Sequence, residues 1–148
     1  MSNYDKVDAF IDKNLSQSLD ELKKYVAQPS ISAQNLGLKE CAQLVKEMLE
    51  KRGFTAEIMA TEGAPVVFAE RKGNVDKTIL IYNHYDVQPP EPLELWDSPP
   101  FEPEIRDGKM YGRGVSDDKG HLTSRLHAID AILAEDGELP CNIKFIIE

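Results

Sequence analysis

A histidine and an aspartate two positions apart are the first residues of this chain that could do chemistry. His84 and Asp86 follow directly after the apolar run at residues 78–82. Residues two apart on an extended chain point to the same side, so the imidazole and the carboxylate can face one point. Divalent metal sites use this pairing, in which the carboxylate either ligates the ion or orients the ring. The pair could instead be a structural hydrogen bond at a strand end, and its spacing alone leaves both interpretations open.

A second group of candidate residues lies at positions 107–120. The stretch opens with an Asp-Gly dipeptide that is typical of a hairpin turn, and Gly112 and Gly114 then permit close backbone approach. Asp117 and Asp118 come just before a predicted helix, where acidic side chains can cap free N–H groups and suit the helix dipole. Capping accounts for one acid but not for two adjacent ones, so this pair is also a candidate for chemistry.

Both groups lie within a segment of unusual composition, residues 84–120. It holds nine acidic residues against four basic ones, together with six of the nine prolines of the chain. Long loops of this kind are either disordered or functional. Trp96 and Phe101 favour an ordered loop, because large apolar groups are rarely left in water.

Apolar spacing predicts the elements that must position these residues. Amphipathic helices are predicted at residues 7–26, 38–53 and 122–137. Strands are predicted at residues 54–59, 66–69, 78–82 and 141–147, and the run 78–82 reads as a central strand buried on both faces. This alternation predicts a layered α/β domain with a mixed or mostly parallel sheet flanked by helices. Such sheets bind ligands at the carboxyl ends of their strands, which is where His84 and Asp86 lie.

The composition restricts the class of protein. The 148 residues carry 17 Lys+Arg and 26 Asp+Glu, a net charge of −9, and 41% are hydrophobic, which suits one compact unit. This acidity argues against a nucleic-acid partner or an anionic membrane. With no membrane-length apolar run and no leader-like pattern, we expect a cytoplasmic protein. Cys41 and Cys141 are predicted to be free thiols, and His121 and His127 to face solvent on a helix.

Taken together, three sequence strings resemble the M20 family of co-catalytic zinc peptidases. They are His84-Tyr-Asp-Val-Gln-Pro89, then Trp96 with Ser98-Pro-Pro-Phe101, then Tyr111-Gly-Arg-Gly-Val-Ser-Asp-Asp-Lys-Gly120. The likeness is greatest to the carnosinase-like, nonspecific dipeptidase branch. It implies that residues 1–148 are the N-terminal portion of a zinc-peptidase catalytic domain that hydrolyses dipeptides or small peptides. It also implies two Zn²⁺ ions per active site, replaceable by Mn²⁺ or Co²⁺, and a homodimer formed through a lid domain absent from this chain.

The same resemblance assigns roles to individual residues. His84 would ligate one metal and Asp117 would bridge both, while Asp86 would be the catalytic-site carboxylate that orients His84. Asp118 would be joined to Asp117 by a cis peptide bond. The general base would be one of two consecutive glutamates a short step beyond Glu148. Since two protein ligands are fewer than a stable zinc site needs, we expect this segment alone to be inactive and to bind metal weakly.

Other functions also fit the sequence. Members of the same family that act as N-acyl amino acid deacylases or as carboxypeptidases differ mainly in residues outside this segment. A noncatalytic α/β module whose acidic loop binds a partner protein is a further alternative, although it would leave the apolar strand at residues 141–147 without a covering element. Glu148 itself as the general base is disfavoured by the family spacing.

Overall fold

The protein is a mixed α/β structure, as the alternation of patterns predicts. The computed structural model describes residues 3–148. The helices are α1 (Asn3–Ala27), α2 (Leu38–Glu50) and α3 (Lys119–Asp136), with short 3₁₀ turns at Ser32–Gln34 and Leu93–Leu95. The strands are β1 (Thr55–Met59), β2 (Val66–Arg71), β3 (Val75–Asn83), β4 (Glu104–Arg106), β5 (Lys109–Tyr111) and β6 (Cys141–Ile147).

Four of the strands form one sheet, in the order β1-β2-β6-β3. The first two pairings are antiparallel, whereas β3 and β6 run parallel, with Ile81 opposite Phe145. A parallel pair needs a crossover connection, and α3 lies in the segment that links these two strands. The carboxyl ends of β3 and β6 therefore meet at one edge of the sheet.

One face of the sheet carries the hydrophobic core. Alternate residues of β2 and β6 are buried there, as expected for strands with one covered face. The helices contribute apolar residues at steps of three and four to the same cluster. The core includes Cys41, Val45, Leu49, Val67, Ala69, Leu122, Leu126, Phe145 and Ile147. Cys41 and Cys141 are both free, which confirms that prediction.

The prediction of a buried central strand at residues 78–82 is wrong. β3 is an edge strand of the sheet, and Ile79, Leu80 and Tyr82 are 52%, 60% and 55% exposed. Among the strands that the structure describes, β3 pairs only with β6. The apolar run correctly predicted a strand at these residues. It could not predict which strands pair with it, because a continuous apolar run carries no information on strand pairing.

A buried ion cluster ties the three helices together. The Arg52 side chain, 3% exposed, follows α2 and donates to Asp130 of α3 (Nε to Oδ1, 2.9 Å) and to Glu21 of α1 (Nη2 to Oε2, 2.6 Å). His127 also belongs to this cluster, since its Nε2 lies 2.7 Å from Glu21 Oε2 and its side chain is only 17% exposed. The prediction that His127 faces solvent is therefore wrong, because α1 packs over that face of α3. His121 is exposed as predicted.

The acidic segment at residues 84–120 is folded around its own polar contacts. Asp107 and Gly108, with φ of 50° and 74°, form the turn between β4 and β5, as the Asp-Gly dipeptide predicts. The Trp96 indole donates to the Pro90 carbonyl at 2.8 Å and stacks under the Arg113 guanidinium. No helix in the described part of the chain is long and apolar enough to cross a membrane.

Candidate metal centre

The structure brings His84 and Asp117 together, although they are 33 residues apart in sequence. His84 Nε2 lies 3.1 Å from Asp117 Oδ1. On the other side of the ring, His84 Nδ1 lies 3.1 Å from Asp86 Oδ1. The three residues that the sequence singles out thus form one continuous group at the carboxyl end of β3.

Two local features of the chain make this approach possible. β3 ends at Asn83, which places His84 at the edge of the sheet. The returning segment is held by a hydrogen bond from Arg113 N to Pro100 O (2.7 Å), and Gly114 follows with φ of 91°. A Cβ at Gly114 would lie 2.8 Å from Val87 Cγ1, so only glycine allows the segment that carries Asp117 to pass this close.

Asp118 does not cap α3 with its side chain, although it occupies the cap position. Its Oδ2 accepts hydrogen bonds from Asn83 Nδ2 (2.6 Å) and from the His84 backbone N–H (3.1 Å). Burial favours a higher pKa for this carboxyl, but bonds from Asn83, His84 and His121 outweigh it and lower the pKa, so Asp118 is ionised at neutral pH. The alternative that acidic side chains cap α3 therefore does not apply to Asp118, whose carboxylate instead holds the end of β3. The peptide bond between Asp117 and Asp118 is cis, as the family resemblance implies.

Lys119 is a structural part of the site that sequence reasoning missed. It is completely buried, and its Nζ donates to the carbonyls of Tyr25 (3.1 Å) and Gln28 (2.5 Å). Burial lowers its pKa to about 8. A lysine in the first turn of a helix opposes the helix dipole, which is the signal that could have identified it. Lys119 joins the start of α3, next to Asp117, to the end of α1.

The hydrogen-bond partners of His84 determine where its proton lies. Nδ1 faces the Asp86 carbonyl oxygen and Oδ1, both at 3.1 Å, and both only accept. Nδ1 must therefore carry the hydrogen, so that a neutral ring has its lone pair on Nε2. That lone pair faces a third acceptor, Asp117 Oδ1. Two acceptors in contact repel unless a proton or a metal cation lies between them.

The electrostatics of His84 agree with this requirement. Burial alone would lower its pKa, but the hydrogen bond to the Asp86 backbone and the charges of Asp118, Asp86 and Asp117 raise the pKa above its ordinary value. A site that raises the pKa of a histidine is a site that attracts positive charge. A metal ion held by His84 Nε2 would have to displace the proton, so its affinity would fall as the pH drops below the pKa of His84.

The donor set fits a divalent cation such as zinc. Two ligand atoms of a tetrahedral zinc ion, each about 2.1 Å from it, lie about 3.4 Å apart, close to the separation of Nε2 and Oδ1. Asp86 supplies the partner on the opposite ring nitrogen that metal-ligating histidines have. Within residues 3–148, no group of three or more His, Cys, Asp or Glu side chains is arranged to hold a metal ion. His84 Nε2 and Asp117 Oδ1 are therefore two atoms that could hold a metal ion, fewer than a complete zinc site needs.

Two clefts open beside this pair. One, of about 190 Å³, is lined by His84, Arg113 and Asp117 among others. The second, of about 530 Å³, is lined by Thr61, Tyr82, His84, Asp86 and Glu148 among others. Tyr82 Oη donates to Glu148 Oε1 at 2.7 Å in the wall of this second cleft. A bound molecule can therefore reach the histidine from either side.

Several known proteins are similar to this chain. Residues 80–148 match the family model for peptidase family M20/M25/M40. A solved M20 family metallo-carboxypeptidase from Sulfolobus solfataricus, Sso-CP2, is 44% identical, with a TM-score of 0.84 over 88% of this chain and 30% of that one. Residues 80–148 of the chain belong to the M20 peptidase family.

Other M20 relatives cover nearly the whole chain. The dipeptidase Dug1p of Saccharomyces cerevisiae is 30% identical, with a TM-score of 0.88 over 100% of this chain and 35% of its own. A succinyl-diaminopimelate desuccinylase of Bordetella avium is 34% identical over 133 residues, which are 90% of this chain and 34% of the relative. The M20 chain described here therefore spans about a third of the length of the curated relatives it matches.

Proposed function

We propose that this chain forms part of a metal-dependent amide hydrolase that cleaves dipeptides, with His84 and Asp117 as metal ligands. The observation that carries the proposal is the 3.1 Å contact between His84 Nε2 and Asp117 Oδ1, which aligns two metal-ligating groups on one point that a proton or a metal ion must occupy. Membership of the M20 family and the likeness to metallo-carboxypeptidase and dipeptidase structures support a hydrolase that uses divalent metal ions.

Each residue of the group has a separate task in this proposal. His84 offers the Nε2 lone pair, and Asp86 accepts the Nδ1 hydrogen and so keeps the lone pair on the correct side of the ring. Asp117, whose side chain is 79% exposed, lines the smaller cleft, where a bridging acid would offset the repulsion between two cations. Zinc ions bound here would activate a water molecule and polarise the amide carbonyl of the substrate.

The proposal also covers the wider setting of the site. Residues 1–148 are the N-terminal portion of the catalytic domain, and the general base and the lid domain through which the enzyme dimerises lie outside them. The segment alone is then inactive and binds metal weakly, because residues 3–148 provide no group of three metal ligands. Two free thiols and a net charge of −9 favour a cytoplasmic enzyme that acts on small peptides and does not bind nucleic acids.

A second candidate function has specific support. The relatives also include a metallo-carboxypeptidase at 44% identity and a succinyl-diaminopimelate desuccinylase at 34% identity. The same metal pair could serve those reactions, because a metal-activated water attacks the amide carbonyl in each of them. The choice between these substrates depends on the lining of the clefts.

A substrate panel tests this proposal. The natural-length protein, loaded with zinc, is assayed against unblocked dipeptides, N-blocked dipeptides and N-succinyl amino acids. We expect kcat/KM to be highest for unblocked dipeptides and activity to disappear when a chelator removes the metal. A preference for N-succinyl substrates would favour the desuccinylase alternative, and a preference for N-blocked peptides the carboxypeptidase alternative. Full activity after verified removal of metal would contradict both.

A further inference from the structure

The connection between α1 and α2 runs directly beside the candidate metal centre. Ser30 and Ser32 contact the segment that follows β3 at three consecutive positions, residues 85–87. Ser30 Oγ donates to Tyr85 O (2.7 Å), and Val87 N donates to Ser30 O (2.7 Å), so the backbone is held on both sides of Asp86. Ser32 Oγ donates to Asp86 Oδ2.

The Asp86 carboxylate is thereby held through both of its oxygens. Oδ1 faces His84 Nδ1 at 3.1 Å, while Oδ2 accepts the hydroxyl of Ser32. A carboxylate held by one oxygen can turn about the bond to its Cβ and move that oxygen out of line. A second hydrogen bond on the other oxygen opposes this rotation.

The position of Ser32 shows that its hydroxyl does not serve the local turn. Ser32 begins the short 3₁₀ turn Ser32–Gln34, whose cap residue is Ile31, and the cap makes no side-chain hydrogen bond. The Ser32 hydroxyl instead reaches a residue 54 positions away. Gln34, at the end of the same turn, directs its amide to Glu91, so it does not contact the metal-binding group.

We propose that Ser32 is a positioning residue for the metal ligand His84, acting through Asp86. The Ser32 hydroxyl fixes the carboxylate of Asp86, and the carboxylate fixes the ring orientation and the Nδ1–H tautomer of His84. This inference rests on the proposed function, because it assumes that His84 Nε2 binds the metal. Ser32 lies in the connection between α1 and α2, outside the three sequence strings that resemble the M20 family, so this connection contributes to the affinity of the metal centre.

The test compares zinc affinity in four variants of the natural-length protein, measured by competition with a chromophoric chelator. Partners of a ligating histidine typically contribute 10- to 100-fold to metal affinity, so Ser32→Ala, one step further away, is expected to weaken binding by about 3- to 10-fold. Ser32→Thr keeps the hydroxyl and should bind zinc as the natural protein does. Gln34→Ala, the matched control on the same turn, should also leave the affinity unchanged. His84→Ala should lose the site.

A second measurement separates positioning from other roles. Nitrogen-15 NMR of the metal-free protein at alkaline pH, with the His84 signal assigned from His84→Ala, reports which ring nitrogen carries the hydrogen. We expect an Nδ1–H ring in the natural protein and a detectable share of Nε2–H ring in Ser32→Ala. Folding of each variant is checked by circular dichroism.

The outcomes distinguish this inference from the function on which it rests. If His84→Ala loses zinc while Ser32→Ala keeps both full affinity and the natural tautomer, the role of Ser32 is refuted and the proposed function stands. If a dipeptide assay shows that Ser32→Ala raises KM while zinc affinity and the His84 tautomer stay unchanged, Ser32 contacts substrate instead, since it also lines the larger cleft, and positioning is refuted. Equal losses in Ser32→Ala and Gln34→Ala would show a general effect of the turn, which also refutes positioning. If His84→Ala retains zinc, both proposals fail.

Discussion

Replacing His84 with alanine is expected to weaken zinc binding more than about 100-fold. This exceeds the loss of about 10- to 100-fold that is typical when the hydrogen-bond partner of a metal ligand is removed, because here the ligand itself is lost. Asp117→Asn is expected to act in the same direction, because it removes the charge that faces His84 Nε2 at 3.1 Å. Both variants should lower kcat/KM by about a thousandfold or more, since metal activation contributes several kcal/mol to the transition state. Calorimetric zinc titration and a dipeptide assay of the natural-length protein measure the two effects.

The control for these variants lies in the same acidic segment. Glu94 and Asp97 are exposed acids at residues 84–120 that do not contact His84 or Asp117. Glu94→Ala and Asp97→Ala change the net charge of the segment by as much as Asp117→Asn but should leave zinc affinity and activity as they are. If Glu94→Ala and Asp97→Ala weakened zinc binding as much as Asp117→Asn, the acidic segment would attract cations only through its overall charge. The assignment of His84 and Asp117 as specific metal ligands would then be wrong.

Replacing Arg52 with methionine is expected to cost about 3–5 kcal/mol of unfolding free energy, the usual cost of removing one partner of a buried ion pair. The side chain of Arg52 is 3% exposed and donates to Glu21, Asp130 and the Met48 carbonyl. Its loss leaves the Glu21 carboxylate, 13% exposed, without its main cation. Denaturant unfolding of the natural protein and the variant measures the difference.

Lys51→Ala is the matched control for this loss. Lys51 is the neighbouring residue and contacts the same carboxylate, Glu21, at 3.7 Å, but its side chain is 61% exposed. An exposed pair contributes about 0–1 kcal/mol, so Lys51→Ala should change stability little. A similar cost for both variants would show that burial of the Arg52 cluster has no energetic importance.

The Arg52 cluster also makes stability depend on pH. Burial alone would raise the pKa of Glu21, but hydrogen bonds from His127 and Arg52 outweigh it and lower the pKa from 4.5 to about 2. A carboxyl whose pKa is lower in the folded state stabilises the fold above pH 4.5, and this contribution is lost as the pH falls towards 2. Without Arg52, the pKa of Glu21 rises, so Arg52→Met should lose less additional stability on acidification than the natural protein over this range.

Much of the fold could be predicted because it depends on local spacing. The three helices, the turn at Asp107-Gly108 and the strand before His84 are all set by residues within a few positions of one another. The same holds for the His84 and Asp86 pair, whose two-residue spacing on an extended chain was enough to predict that they face one point.

The remaining features depend on contacts between distant residues. Ser32 contacts Asp86 across 54 positions and Arg52 contacts Asp130 across 78, and no local pattern indicates either contact. The exposure of β3 was mispredicted for the same reason, because burial of a strand depends on which strands and helices lie beside it. The convergence of Asp117 on His84 was implied by family resemblance and not by spacing.

The central claim is that one divalent cation lies between His84 and Asp117, and anomalous diffraction from zinc-loaded crystals of the natural-length protein tests it most directly. Data collected at the zinc absorption edge should show a peak about 2.0–2.2 Å from both His84 Nε2 and an Asp117 carboxylate oxygen. Ordered zinc peaks only at other positions, with His84 and Asp117 still in direct contact with each other, would contradict the claim.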